Sequence, residues 1–141
     1  MTTSTQGILL FAHGARDPAW ARPFQAAAER LRQRVPSSGN TVVSLAFLEF
    51  MSPTLPEAGD QLAAQGCQHV TVVPLFLGAG GHVRKDLPLL MTELAAKHPG
   101  VQWRLSQAVG ETDLLIQALA DSAWSLAQTP DARTTSDEPP T

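Results

Sequence analysis

The sequence predicts a single α/β domain, doubly wound, with a four-stranded parallel sheet in the order 2-1-3-4. Three observations predict it. Four short apolar runs of strand length alternate with four segments whose apolar residues recur every three to four positions, the pattern of a parallel sheet covered by helices on both faces. With 141 residues the chain is long enough for one domain with a real core. The run Val70–Leu77 is β-branched and apolar throughout, as a central strand buried on both faces should be.

The elements follow in order. Residues 1–6 are polar and are expected to be flexible. The domain is expected to span 7–127, with 128–141 (QTPDARTTSDEPPT from Gln128) a disordered, proline-rich tail. Gly7–Ala12 (GILLFA) is strand one, ended by His13-Gly14, and Ala15–Arg22 is a loop or ragged helix start. Phe24, Ala27, Ala28, Leu31 and Val35 predict helix one over about residues 20–35, with Pro23 near its first turn. Pro36–Asn40 is a turn, and Thr41–Glu49 is strand two. Ser52-Pro53 reads as a cap followed by proline at the first helical position; Leu55, Ala58, Leu62 and Ala63 form the stripe of helix two, and Gly66 stops it. After strand three, Gly78, Gly80 and Gly81 break the run, and Asp86-Leu87-Pro88 reads as the start of helix three, leaving His82 in a loop. Leu87, Leu90, Met91, Leu94 and Ala95 point inward until His98-Pro99-Gly100 ends the helix. Val101–Val109 is more polar, hence an edge strand. Helix four runs from about Thr112 to Ala127, with Leu115, Ala118, Leu119, Ser122 and Ala123 on its buried side.

Composition removes several function classes. The net charge is -3, and the tail carries Asp131, Asp137 and Glu138 against Arg133, so the body is near neutral with its cations scattered. No nucleic-acid surface is expected. The longest apolar runs are strand-sized, so no membrane span is expected either. One cysteine cannot form an internal disulfide, and the start lacks the basic and apolar regions of a signal peptide, so a cytoplasmic location is the default. There is no GxGxxG after strand one and no GxxxxGK[ST], so dinucleotide and P-loop readings lack their phosphate cradle.

Three side chains able to bind a metal fall at one edge of the predicted sheet. His13 follows strand one, Glu49 ends strand two, and His82 follows strand three. In the order 2-1-3-4, strands one and three are neighbours at the switch point, where crossover loops part and leave a ligand crevice. Two imidazoles and a carboxylate suit Co²⁺, Fe²⁺, Ni²⁺ or Zn²⁺, and the same groups take protons near neutral pH. A histidine after a buried strand can equally cap a helix or bond a loop carbonyl, and Glu49 can be a solvated strand end. His69 and His98 fall at the opposite edge, where the favourable charge at a helix C-terminus accounts for His98. Cys67 there reads as a plain buried thiol.

Arg16, Arg84 and Lys85 crowd the same edge as His13 and His82. They are either solvated charge or receivers for carboxylates of an anionic ligand, aided by backbone N–H groups of Gly78–Gly81, Gly80 and Gly81 among them, and by the start of helix three. Trp20 and Phe50 could flank a flat ligand or simply pack. Trp103 and Trp124 read as core or interface, and Asp17 as a turn or cap residue.

The segments ILLFAHGARD (Ile8–Asp17), LAFLEFMSPTLPEA (Leu45–Ala58), VTVVPLFLGAGGHVRKDLP (Val70–Pro88) and Val109-Gly110-Glu111 resemble the small CbiX-type sirohydrochlorin chelatases of the class II chelatase group. They occur in that family's order over about residues 7–127. One departure is Ala15, where the family usually has serine. The resemblance implies a chelatase-like, flavodoxin-like fold and a lyase that inserts Co²⁺ or Fe²⁺, with Ni²⁺ a further option, into sirohydrochlorin without ATP. It implies His13 and His82 as metal ligands and bases, Glu49 as a third partner, no tightly bound cofactor, and a homodimer similar to one longer two-lobed chelatase. Cobalamin and sirohaem biosynthesis are both open to such an enzyme, because the donor set does not choose among metals.

The chemistry fits the residues. Insertion strips two N–H protons from a planar macrocycle while a cation reaches its face, so a metal and a base must be held on one side. Neutral imidazole can release an ion as well as hold it. Two rival readings remain: a carrier that loads Co²⁺ or Ni²⁺ at the same site without chemistry, and a flavodoxin-like module for another anionic ligand.

Overall fold

The computed structural model describes residues 5–36, 39–78 and 80–130, and for 81–84 the backbone alone. Strand β1 (Thr5–Ala12) is followed by a 3₁₀ turn (Pro18–Ala21) and helix α1 (Arg22–Arg34). Then come β2 (Thr41–Phe47), α2 (Leu55–Ala64), β3 (Cys67–Pro74), α3 (Gly81–Lys97) and β4 (Gln102–Leu105). A second 3₁₀ turn (Val109–Glu111) leads into α4 (Asp113–Gln128). All strand pairs are parallel, as the alternation of elements predicts, and the order is β2-β1-β3-β4, the order expected.

Side chains alternate across the sheet, so β1 feeds two cores. Leu9 and Phe11 enter the larger one with Leu55, Ala58 and Leu62 of α2, Leu87 and Leu94 of α3, and Val70 and Val72 of β3. Leu10 enters the smaller one with Val43 of β2 and Ala28 of α1. Register matters for function here. Phe11 pairs with Pro74, Leu75 N–H donates to the Phe11 carbonyl at 2.7 Å, and Leu48 N–H donates to the Ala12 carbonyl at 2.8 Å. The chain therefore leaves β1, β2 and β3 at one shared edge, through loops beginning at His13, Leu48 and Leu75.

Several expected boundaries move, each for a local reason. Thr5 and Gln6 belong to β1 rather than to a flexible start, held by parallel pairing to β2 and β3. Strand β2 stops at Phe47, which places Glu49 in the loop beyond it. Helix α2 is capped by Thr54 and not by Ser52: the Thr54 hydroxyl accepts from Glu57 N–H while the Glu57 carboxylate accepts from Thr54 N–H, and Pro56 takes the early proline position. Strand β3 begins at Cys67 and ends at Pro74, leaving Leu75–Leu77 outside it. Its two faces are unequal, since Val70 and Val72 are buried whereas Thr71 and Val73 are half-buried.

The largest correction concerns α3. It starts at Gly81 with Gly80 as its cap, and it runs through Asp86 and Pro88 instead of starting there. Pro88 lies inside α3 and not in its first turn, so the helix forgoes the bond to the carbonyl four residues back. His82 therefore lies in the first turn of α3 and not in a loop. Leu87 and Leu94 are buried as expected, Leu90 and Met91 partly so, and Ala95 is exposed. Helix α4 has the expected extent, with Thr112 as cap, but none of Leu115, Ala118, Leu119, Ser122 and Ala123 is buried. Trp124 is exposed too, while Trp103 packs against the larger core. Most of the expected tail, residues 131–141, lies outside the described residues, as do residues 1–4.

Candidate active site

At the shared edge the first residue past β1 meets the second residue past β2. His13 Nδ1 lies 3.2 Å from Glu49 Oε1. An ionised carboxylate can only accept, so Nδ1 carries the proton and donates it to Glu49. That fixes the tautomer and leaves Nε2 as a lone pair, able to take a proton or a metal. Glu49 Oε2 accepts a second bond from Gly14 N–H at 3.4 Å. The close approach of these two loops explains Gly14. A Cβ on Gly14 would overlap the Glu49 carbonyl oxygen and come within 2.9 Å of the Glu49 carbonyl carbon, both backbone atoms.

Neighbours fix the ring further. Phe76, just past β3, lies against the His13 imidazole at a centroid distance of 4.6 Å. Trp20 Nε1 donates to the His13 carbonyl at 2.8 Å, and its indole packs against Phe24. Asp17 caps the turn carrying Trp20, its carboxylate accepting from Ala19 N–H at 2.9 Å, which is the cap role its sequence context suggests. Phe50 is held in the left-handed region at φ 67°, unusual for a bulky residue, directly after Glu49. The guanidinium of Arg16 sits 5.2 Å over its ring.

The pair is open to solvent, with 46% of the His13 side chain and 38% of the Glu49 side chain exposed. Around it Trp20, Phe50 and Leu77 present large apolar side chains to solvent from the loops after β1, β2 and β3. An apolar rim around a polar pair is a surface for a flat, partly apolar ligand. Nearby, Phe11, Phe47, Leu48, Leu55, Leu89 and Leu90 help line a cavity of about 360 Å³ between α2 and α3, which includes neither His13 nor Glu49.

The structure thus brings His13, Glu49 and Arg16 into one loop cluster. Gly80 and Gly81 open α3, followed by His82, Arg84 and the exposed Lys85 in its first turns. The side chains of His82 and Arg84 lie outside the described residues, and among the described residues no group of three metal-capable side chains forms. The opposite edge is separate. There Asp60 accepts from Lys97 and pairs with His98, each at 2.7 Å, so His98 has an acidic partner beyond the helix terminus. Those contacts, Lys97 first, hold the Asp60 carboxyl below its usual range. Cys67 is buried in β3, and burial pushes its thiol up.

Sequence reasoning missed three contributors: Phe76, Gly14 and Gly110. Phe76 falls within the expected run Val70–Leu77, whereas the structure puts it two residues past the end of β3. Gly110 N–H donates to the Phe76 carbonyl at 2.9 Å, and a Cβ on Gly110 would overlap the Leu77 backbone. This glycine therefore pins the loop carrying Phe76 and Leu77 to the turn before α4, which gives the late Val109-Gly110-Glu111 segment a physical task.

Comparison with known proteins shows the family. The CbiX family model matches residues 7–125. The sirohydrochlorin cobaltochelatase of Saccharolobus solfataricus is 40% identical over 85 residues, which are 60% of this chain and 62% of that protein. The match thus spans less than two thirds of that relative. The sirohydrochlorin cobaltochelatase of Sulfurisphaera tokodaii is 29% identical over 115 residues, covering 82% of this chain and 88% of the relative. Among solved structures, a CbiX protein from Marinobacter aquaeolei VT8, described in terms of cobalamin (vitamin B12) biosynthesis, superposes with a TM-score of 0.74 at 35% identity, covering 85% of this chain and 95% of the other. The sirohydrochlorin chelatase SirB from Bacillus subtilis subspecies spizizenii, in complex with cobalt, also gives 0.74 at 25% identity, over 87% of this chain but 51% of its own.

Proposed function

The chain belongs to the CbiX family, and from that premise we propose that it is a chelatase that inserts a divalent metal, Co²⁺ or Fe²⁺, into sirohydrochlorin without ATP. One observation carries the reading. At the edge of the sheet where open α/β folds bind ligands, His13 is tied through Nδ1 to Glu49, and the pair is open to solvent.

The chemistry asks for a site that is exposed and not sealed. The ring must lie flat against the residue that takes its N–H protons, and Trp20, Phe50 and Leu77 provide an apolar surface for that. His13 Nε2 accepts a proton from a pyrrole nitrogen, and Glu49 stabilises the imidazolium that forms. His82, in the first turn of α3, is the second ligand and base, and Glu49 either orients His13 or joins it on the ion. The metal is a substrate here, so weak nitrogen and oxygen donors suit it better than thiolates, and no tightly bound cofactor is needed. Arg16, Arg84 and Lys85, with the unpaired N–H groups at the start of α3 around Gly80 and Gly81, receive the substrate's carboxylates. SirB is matched over half its length, which supports a homodimer of this shorter chain. A buried lone cysteine supports work in the reducing cytoplasm. Whether the product feeds cobalamin or sirohaem depends on the metal supplied.

The test is purified protein, sirohydrochlorin and a panel of Co²⁺, Fe²⁺ and Ni²⁺, followed by the absorbance change on metallation. Expected is ATP-independent acceleration lost in His13→Ala. Metal binding without acceleration by any ion would refute the chelatase reading and leave a carrier.

A further inference from the structure

The loops after β1 and β2 are bridged by the His13–Glu49 bond and, slightly further along both, by a second contact. The Arg16 guanidinium lies 5.2 Å from the ring centroid of Phe50, the residue directly after Glu49. Phe50 holds a backbone φ of 67°, where a bulky residue is costly and glycine is the ordinary occupant. Its neighbours account for the turn. Glu49 is held by His13 and by Gly14 N–H, and Met51 packs against Ala12, Ala21 and Phe47, so residue 50 must carry the chain from one anchor to the other. Nothing in that turn asks for a ring. Phe50 belongs to none of the buried clusters, it is 64% exposed, and among the described residues its ring contact is Arg16. An exposed cation–π contact is weak and does not offset a left-handed phenylalanine.

A strained, solvent-facing aromatic with no packing task is explained by what it meets outside the chain. A bare ring face beside His13 takes a flat π system, and a guanidinium resting on that face takes a carboxylate once it is displaced. We propose that Phe50 and Arg16 form one specificity-determining unit: the tetrapyrrole stacks on the Phe50 ring where the guanidinium now lies, and the displaced Arg16 pairs with a carboxylate at the edge of the macrocycle. This rests on the chelatase reading above and names the contact that selects its substrate.

The exchange is what makes the unit selective. A flat ligand without carboxylates removes the cation–π contact and gives Arg16 nothing in return. A macrocycle with carboxylate arms replaces that one contact with two, ring on ring and guanidinium on carboxylate. Arg16 is exposed, and among the described residues no carboxylate holds it, so it turns without breaking an ion pair. The Phe50 backbone, fixed between two anchored neighbours, keeps the ring preformed, so little ordering is left to binding.

Absorbance titration of the full chain with metal-free sirohydrochlorin, alongside thermal melts, tests this. Phe50→Gly removes the ring and suits the backbone, so it should melt above Phe50→Ala yet bind about tenfold or more weakly than wild type. Phe50→Tyr keeps the ring and should bind as wild type does. Arg16→Gln should weaken binding and flatten its salt dependence, which Phe50→Gly leaves intact. Wild-type affinity in Phe50→Gly, or binding by Phe50→Tyr as weak as by Phe50→Gly, overturns the stack. Phe50→Gly melting below Phe50→Ala overturns the strain behind it, and Arg16→Gln with wild-type affinity or salt dependence overturns the exchange. None of these touches the chelatase reading while wild-type protein metallates sirohydrochlorin. Wild-type protein that binds no sirohydrochlorin overturns the unit and that reading together.

Discussion

Replacing Gly14 by alanine adds one methyl group, and the structure says where it goes. The new Cβ overlaps the Glu49 carbonyl oxygen and lies 2.9 Å from the Glu49 carbonyl carbon. Both are backbone atoms, so no side-chain rotation relieves the contact. Ordinary carbon–oxygen approach is about 3.3 Å, and restoring it moves the two loops apart by more than about 1 Å. His13 and Glu49 sit on those loops, and their 3.2 Å hydrogen bond has no slack to absorb the shift. Overpacking of this kind costs about 1–3 kcal/mol, a fall in Tm of roughly 3–10 °C for a chain of this size. A misplacement of about 1 Å at a reacting group can cost on the order of 100-fold in rate, so turnover should drop further than stability does. Gly100→Ala makes the same chemical change in open space and is the control, expected within about 0.5 kcal/mol of wild type. Thermal melts and sirohydrochlorin metallation are measured side by side. Gly14→Ala matching Gly100→Ala in both would refute the loop-contact argument. A lowered Tm with full turnover would refute the role given to the His13–Glu49 pair.

Other expectations follow from different parts of the molecule. His82→Ala should abolish metallation with an unchanged circular dichroism spectrum, whereas His69→Ala, at the far edge, should change little; wild-type turnover in His82→Ala would remove His82 from the mechanism. Arg84→Ala/Lys85→Ala should raise the tetrapyrrole KM more than it lowers kcat, and an unchanged KM would show that neither receives a carboxylate. Asp60 sits below its ordinary value of 3.8 through Lys97 and His98, so its contribution is present above that pH and is lost as the pH falls through the lower folded-state value. Asp60→Asn should therefore cost under about 1 kcal/mol at neutral pH in urea titrations, with the difference closing in acid; a gap that widens in acid would contradict this. Leu94→Ala, at 2% exposure in the larger core, should cost about 2–5 kcal/mol, and a loss under 1 kcal/mol would mean the core collapses around it.

The sheet order and the shared edge were legible because they depend on patterns averaged over many residues. Four strand-sized runs alternating with helical periods leave few topologies, and His13, Glu49 and Arg16 fall together once the strands are parallel. Element ends were less legible, since one or two local bonds decide them. Ser52-Pro53 carries the same cap signal as Thr54-Leu55-Pro56, and only the reciprocal bonds between Thr54 and Glu57 choose between them. Asp86-Leu87-Pro88 looks like a start, yet α3 runs through it, because one lost ladder bond at an interior proline is outweighed by the packing of Leu87 and Leu94 on the same helix. Phe76, Gly14 and Gly110 act through contacts between loops distant in sequence, which no spacing rule reports.

Helix α4 shows a different kind of gap between sequence and structure. Its apolar positions predict a buried side, and the structure leaves them exposed or, for Leu115, only partly buried. The periodicity itself is clear, since a polar stripe at every fourth residue among mostly apolar ones arises where one surface is wet and the rest is covered. Periodicity reports that a surface is covered and does not say by which chain. The residues at issue include Leu114, Ile116, Leu119, Trp124 and Leu126, all exposed. An apolar patch of that extent on a lone monomer marks an association surface.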